Sequence, residues 1–151
     1  MVKKYSVLVN GAVFLNNQVL IIKRSEKEKH QAGRWCLPGG KMELNNAIYP
    51  LQKTVQREIK EEIGLIVNPE AIIYSNVFQH SEDGQLTLAI VFICQYKSGK
   101  AKPLEDTDEV KWIKEIEIDK FKFPPNVKNY IKETFKYAKI QNKCGQKWQQ
   151  R

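Results

Sequence analysis

The run Arg57-Glu58-Ile59-Lys60-Glu61-Glu62-Ile63-Gly64-Leu65 gathers the residue types that hold hard metal ions. On an α-helix, Glu61 and Glu62 follow Glu58 by three and four residues, so the three carboxylates share one face. Like charges at that spacing repel by about 0.2–0.5 kcal/mol per exposed pair. Arg57 and Lys60 offset only part of this, whereas a divalent cation offsets more, and magnesium or manganese accepts such oxygen ligands. Taken alone, the run also reads as a solvated helix surface, so the elements around it decide what it is for.

Those elements point to a cleft. Leu51, Val55, Ile59 and Ile63 recur every four residues and form an apolar stripe over 50–63. Pro50 suits the first turn, where its missing N–H costs nothing, and Gly64 stands where a left-handed C-terminal cap is expected. The acidic face therefore turns away from the core stripe. Upstream, β-rich runs at 5–14 and 18–24 flank a turn at Leu15-Asn16-Asn17, and asparagine tolerates the positive φ of a tight hairpin. Residues 25–34 read as a mobile polar loop, and Trp35-Cys36-Leu37-Pro38-Gly39-Gly40 as an apolar segment ending in a turn. Strands are expected at 71–79, 85–96 and 109–114, and a last helix at 127–140 with Val127, Ile131, Phe135 and Ala138 on one face. This order predicts the α/β class, a mixed sheet packed between helices. One domain is expected over 1–140, followed by a polar, flexible tail over 141–151.

Composition narrows the class further. A chain of 151 residues with 42% hydrophobic and 28% charged residues suits one soluble domain. No apolar run is long enough to span a bilayer, and the N-terminal stretch lacks a signal cleavage site. Three cysteines without metal-ligand spacing argue against a secreted disulfide framework, so a cytoplasmic protein without a membrane partner is expected. The net charge of +8 favours polyanions in general. Its lysines are spread along the chain, so an RNA partner remains open but is not favoured.

Together with Leu37-Pro38-Gly39-Gly40-Lys41-Met42-Glu43, the acidic run resembles the Nudix box. In that motif an opening glycine and a glutamate precede R-E-U-x-E-E-x-G-U, where U is a bulky aliphatic residue. Arg57, Glu58, Ile59, Glu61, Glu62, Gly64 and Leu65 match every specified position of the latter part, and Gly40 resembles the opening glycine. The resemblance implies a Nudix-type α/β/α sandwich and metal-dependent hydrolysis of a nucleoside diphosphate linked to another moiety. It assigns Glu58, Glu61 and Arg57 to catalysis, and Glu58, Glu61, Glu62 and the carbonyl of Gly39 or Gly40 to Mg2+, with Mn2+ as an alternative. Gly40 stands three residues further from Arg57 than the motif prescribes, so the loop carries an insertion. The first glutamate of the box has no counterpart, since counting from either end reaches Asn46 or Tyr49. Glu43 is the candidate replacement carboxylate, and the acidic run 105–109, Glu109 included, is a candidate for a further metal ligand or base.

The wider chain resembles the MutT branch, which implies cleavage of a nucleoside triphosphate, oxidised dGTP included, to monophosphate and pyrophosphate. On that resemblance Arg24 is a candidate for the phosphates, His30 for a substrate role and Asn126 after Phe123-Pro124-Pro125 for the purine edge, while Phe78 and Trp35 are candidates for base stacking. Plainer readings stand beside these: a solvated strand end for Arg24, an exposed loop residue for His30, core packing for the aromatics and a helix N-cap for Asn126. Two alternatives of function remain open. One is hydrolysis of ADP-ribose, a dinucleoside polyphosphate or an RNA 5′ end, and the other is a nucleotide-binding or regulatory module on a degenerate box. A small-molecule nucleotide partner is common to all of them except the RNA end. Monomer and homodimer are both compatible with the sequence.

Overall fold

The computed structural model describes residues 3–43 and 48–144, so Asn46 and the tail from 145 onward lie outside the described residues. Strands β1 (Tyr5–Leu15) and β2 (Gln18–Arg24) form the expected hairpin, with Asn16 at φ 51° and Asn17 at φ 59°. Positive φ at both turn residues matches the right-handed strand twist, which explains the asparagine pair. Next come β3 (Trp35–Cys36), β4 (Gly39–Lys41), α1 (Pro50–Ile63), β5 (Ile66–Gln79), β6 (Leu86–Ser98) and β7 (Thr107–Ile113). A short 3-10 helix (Glu115–Lys120) and α2 (Pro125–Lys143) complete the described chain.

The strands make one mixed sheet in the order β3-β2-β1-β6-β5, with β4 joined to β1 and β7 to β2. β1 and β6 run parallel at its centre, pairing Val9 with Ile90 and Ala12 with Ile93. Side chains alternate across these strands, and both faces are covered. Ala12, Phe14, Val91 and Ile93 join Ile131 and Phe135 of α2 in one core. Val9, Val13, Ile90 and Phe92 join Val55, Ile59 and Ile63 of α1 in the other. This is the α/β/α sandwich that the sequence predicts. The three α1 residues are fully buried, each contributing about 1.5–3 kcal/mol of apolar burial. They fix which way the acidic face of α1 looks.

Pro50 begins α1 and Gly64, at φ 75°, ends it, as the sequence predicts. Several expectations change. β5 begins at Ile66 rather than at 71, and β7 at Thr107 rather than at 109. Gly39-Gly40 is strand rather than turn, because it pairs with β1. The 25–34 loop is tied down: Arg24 N–H donates to Arg34 O, Gly33 N–H to Arg24 O, and Ser25 N–H to Asp106 O. The last helix begins at Pro125 and continues to Lys143, past the expected end at 140. Among the described residues, no helix is long and apolar enough to cross a membrane.

Candidate active site

α1 carries Arg57, Glu58, Glu61 and Glu62 past the short strand β4. In register, Val9 faces Gly40 and Asn10 faces Gly39. A Cβ at position 39 would stand 2.7 Å from the Asn10 Cα, and one at position 40 would stand 2.5 Å from Oε1 of Glu58. The two glycines thus serve close approach: Gly39 lets β4 lie against β1, and Gly40 leaves the room that the Glu58 carboxylate occupies.

The glutamates are held unequally. Arg57 Nη1 lies 3.0 Å from Oε1 of Glu58 and 3.1 Å from Oε2 of Glu61, so one guanidinium spans both. Glu43 adds its field, and with Glu58 and Glu61 it outweighs the burial that would lower the Arg57 pKa. Burial raises the Glu58 pKa; Arg57 opposes this, while Glu61 and Glu105 add to it. Glu62 reaches inward, where the Gly39 N–H donates to its carboxylate. Its Oε2 is shielded from solvent and has no hydrogen-bond partner. Burial, then the charge of Glu58, pushes the Glu62 pKa up to about 8, against the Gly39 hydrogen bond and Arg24.

A buried carboxylate oxygen without a partner is costly unless a proton or a cation meets it. Glu58 and Glu62 lie against Gly40 and Gly39, Glu61 is joined to Glu58 through Arg57, and all the donor atoms are oxygen. That set fits a hard divalent cation.

Next to β4 opens a cavity of about 400 Å³, within the range of small-molecule sites. Arg24, His30, Phe78 and Asn126 all line it, although they come from β2, a loop, β5 and α2. Pro124 is the N-cap residue of α2, and no side chain caps the helix. Asn126 therefore lies inside the first turn, which overturns its reading as the N-cap and leaves its amide at the cavity wall. Arg24 is no solvated strand end: its Nε donates to His30 O at 3.0 Å and its Nη2 pairs with Glu28 at 2.9 Å. It thereby sets the position of His30.

Other candidates fall elsewhere. Trp35 packs edge-on against Phe121 at 5.2 Å and beneath Lys111, and it is absent from the cavity wall. Glu109 pairs with Lys23 at 3.8 Å across the β2–β7 ladder. From the same acidic run, Glu105 is the residue whose charge reaches Glu58 and Glu62. Asn10, Tyr130, His80 and Glu82 line the cavity without having been singled out. Asn10 had a readable signal, since it is a polar residue inside the apolar run of β1 and is buried. Tyr130, which donates to Asn76 Oδ1 at 2.7 Å, had none. Cys36 lies beside Arg24 and Glu62, but burial raises its pKa to about 12 despite Arg24, so it stays a thiol.

Comparison with known proteins places these features in a family. The NUDIX domain model matches residues 6–134. The 8-oxo-dGDP phosphatase NUDT18 of Mus musculus is 33% identical over 97 residues, which cover 64% of this chain and 28% of that protein. The chain thus spans little more than a quarter of that relative's length. An ADP-ribose pyrophosphatase of Methanocaldococcus jannaschii is 29% identical over 129 residues, covering 84% of this chain and 73% of that protein. Among solved structures, the MutT protein of Methanosarcina mazei Go1 superposes with a TM-score of 0.74 at 28% identity, over 95% of this chain and 99% of that one.

Proposed function

The chain belongs to the NUDIX family, and we propose that it is a pyrophosphohydrolase of nucleoside diphosphate derivatives whose preferred reaction splits a nucleoside triphosphate into monophosphate and pyrophosphate. The observation that carries this is the unpartnered Oε2 of Glu62, set among three carboxylates beside a nucleotide-sized cavity. Glu58, Glu61, Glu62 and the carbonyl of Gly39 or Gly40 would hold Mg2+ or Mn2+. An ion bound there would supply positive charge against the phosphate oxygens and lower the pKa of water.

The remaining work belongs to the side chains. Arg57 keeps Glu58 and Glu61 at a fixed separation and limits their mutual repulsion. Glu58 is half-buried and its pKa is raised, which suits its carboxylate to take the proton of the attacking water. Phe78 offers a ring face for the base, and Asn126 an amide for its edge. Arg24 supplies positive charge between the cavity and Glu62. Glu43, whose charge reaches Arg57, stands in for the missing first glutamate of the box.

ADP-ribose is the second reading, favoured by the alignment with the Methanocaldococcus jannaschii pyrophosphatase over most of this chain. Chromatography of products from a nucleotide panel, with and without Mg2+, tests both. Mg2+-dependent monophosphate and pyrophosphate from triphosphates, 8-oxo-dGTP among them, supports the preferred reaction. AMP and ribose phosphate from ADP-ribose alone moves the assignment to the second reading. Silence across triphosphates, ADP-ribose, dinucleoside polyphosphates and capped RNA refutes hydrolysis and leaves a binding module.

A further inference from the structure

Along the cavity wall, on elements other than α1, lies a cluster of different chemistry. His30 comes from the loop after β2, while His80 and Glu82 come from the turn after β5. The two imidazole rings face each other with centroids 4.7 Å apart and planes 31° from parallel. His30 Nδ1 contacts Glu82 Oε2, and His30 Nε2 lies 3.7 Å from Asp83 Oδ2. One ligand atom from each of His30, His80 and Glu82 can be chosen so that all lie within 4.8 Å of one another.

We propose that His30, His80 and Glu82 form a second cation site, selective for a borderline transition ion such as Zn2+, in the wall of the nucleotide cavity.

Two imidazoles and one carboxylate are a donor set that Zn2+ accepts and Mg2+ does not favour, whereas the all-oxygen site on α1 has the opposite preference. Two donors bound to one zinc stand at most about 4 Å apart, so small side-chain rotations close the present spacing. Asp83 stands at the far nitrogen of His30, where a carboxylate orients a ligating imidazole. A plain surface ion pair would explain Glu82 against a protonated His30, but it gives His80 no reason to stack on the same ring. Phe78 supports the His80 ring edge-on at 5.0 Å, which joins the cluster to the cavity wall. His30, His80 and Glu82 all line the cavity, so a bound ion ties the loop to the turn in its wall. Three protein ligands also leave a coordination position for water or a phosphate oxygen.

The chain has two histidines, so imidazole resonances report this site and no other. The experiment titrates the 151-residue chain with Zn2+ alone, without nucleotide, and follows both imidazoles by NMR. Both should shift together and saturate at one equivalent, Mg2+ should leave them in place, and Glu82→Gln should weaken binding at least about tenfold. Zinc should raise the melting temperature of the wild type more than that of His80→Ala, since an ion that binds only the folded chain stabilises it. A response from one imidazole or none, equal movement by Mg2+, or unchanged affinity in Glu82→Gln overturns the site. Zinc held at the glutamates or at the exposed thiol of Cys144 leaves both imidazoles unmoved, which also counts against the proposal. With no nucleotide present, failure here leaves the hydrolysis reading intact, and failure of hydrolysis leaves this result intact.

Discussion

Glu62→Gln is expected to make the metal-free protein more stable at alkaline pH while removing its activity. The Glu62 carboxyl has its pKa raised from 4.5 to about 8, chiefly by burial and then by Glu58. At about 1.4 kcal/mol per pKa unit, ionising it in the folded chain costs at most roughly 5 kcal/mol. Below pH 4.5 the group is protonated in both the folded and unfolded chains, and the cost is absent. As pH rises towards 8 the unfolded chain ionises first, so the metal-free wild type loses stability, and above that the loss is complete. Glutamine never ionises, but it places an amide donor where Oε2 has no partner, at a cost of about 1–3 kcal/mol. Solvent around the rest of this half-buried residue trims the gain as well. The balance is roughly 2 kcal/mol in favour of the variant above pH 8, or about 4–8 °C in melting temperature for a domain of this size. Thermal melts in chelator across this range give the difference curve, which should be negative at acid pH and positive at alkaline pH. Adding Mg2+ should raise the wild-type melting temperature more than that of the variant and so reverse the order. A variant that melts below the wild type at every pH in chelator refutes the claim that a buried, cation-seeking carboxylate sits here.

Glu58→Gln should lower kcat at least about a hundredfold with little change in melting temperature, as loss of a general base does, and steady-state kinetics beside a melt will show it. The two adjacent glycines should part company. Gly39→Ala presses on the β1 backbone and should cost about 1–3 kcal/mol in denaturant unfolding, whereas Gly40→Ala presses on the side-chain end of Glu58 and should lower activity more than stability. Phe78→Ala, which removes a cavity-wall ring, should raise KM for nucleotides more than it lowers kcat, and a fall in kcat alone would argue against base stacking.

Local signals in the chain specified a good deal of this protein. Asn16-Asn17, Pro50 and Gly64 mark element ends through backbone geometry that few other residues adopt, so the hairpin and the limits of α1 were legible without any tertiary contact. The fourfold apolar spacing in α1 fixed its buried side, and hence the free side on which Glu58, Glu61 and Glu62 stand. Long-range pairing decided the rest. Gly39-Gly40 reads as a turn until β1 supplies partners for its backbone, and nothing near residue 62 announces that one oxygen of Glu62 will be sealed from both water and hydrogen bonds. The acidic run 105–109 offers equal carboxylates, yet strand register sends Glu109 to Lys23 and brings the charge of Glu105 towards the glutamates. His30 and His80 lie far apart in sequence and meet only because a loop and a turn fold over the same edge of the cavity. Residue types and periodicity follow from chemistry within one turn or strand. Which side chains share a site depends on register and closure, and only the assembled sheet and its helices determine those.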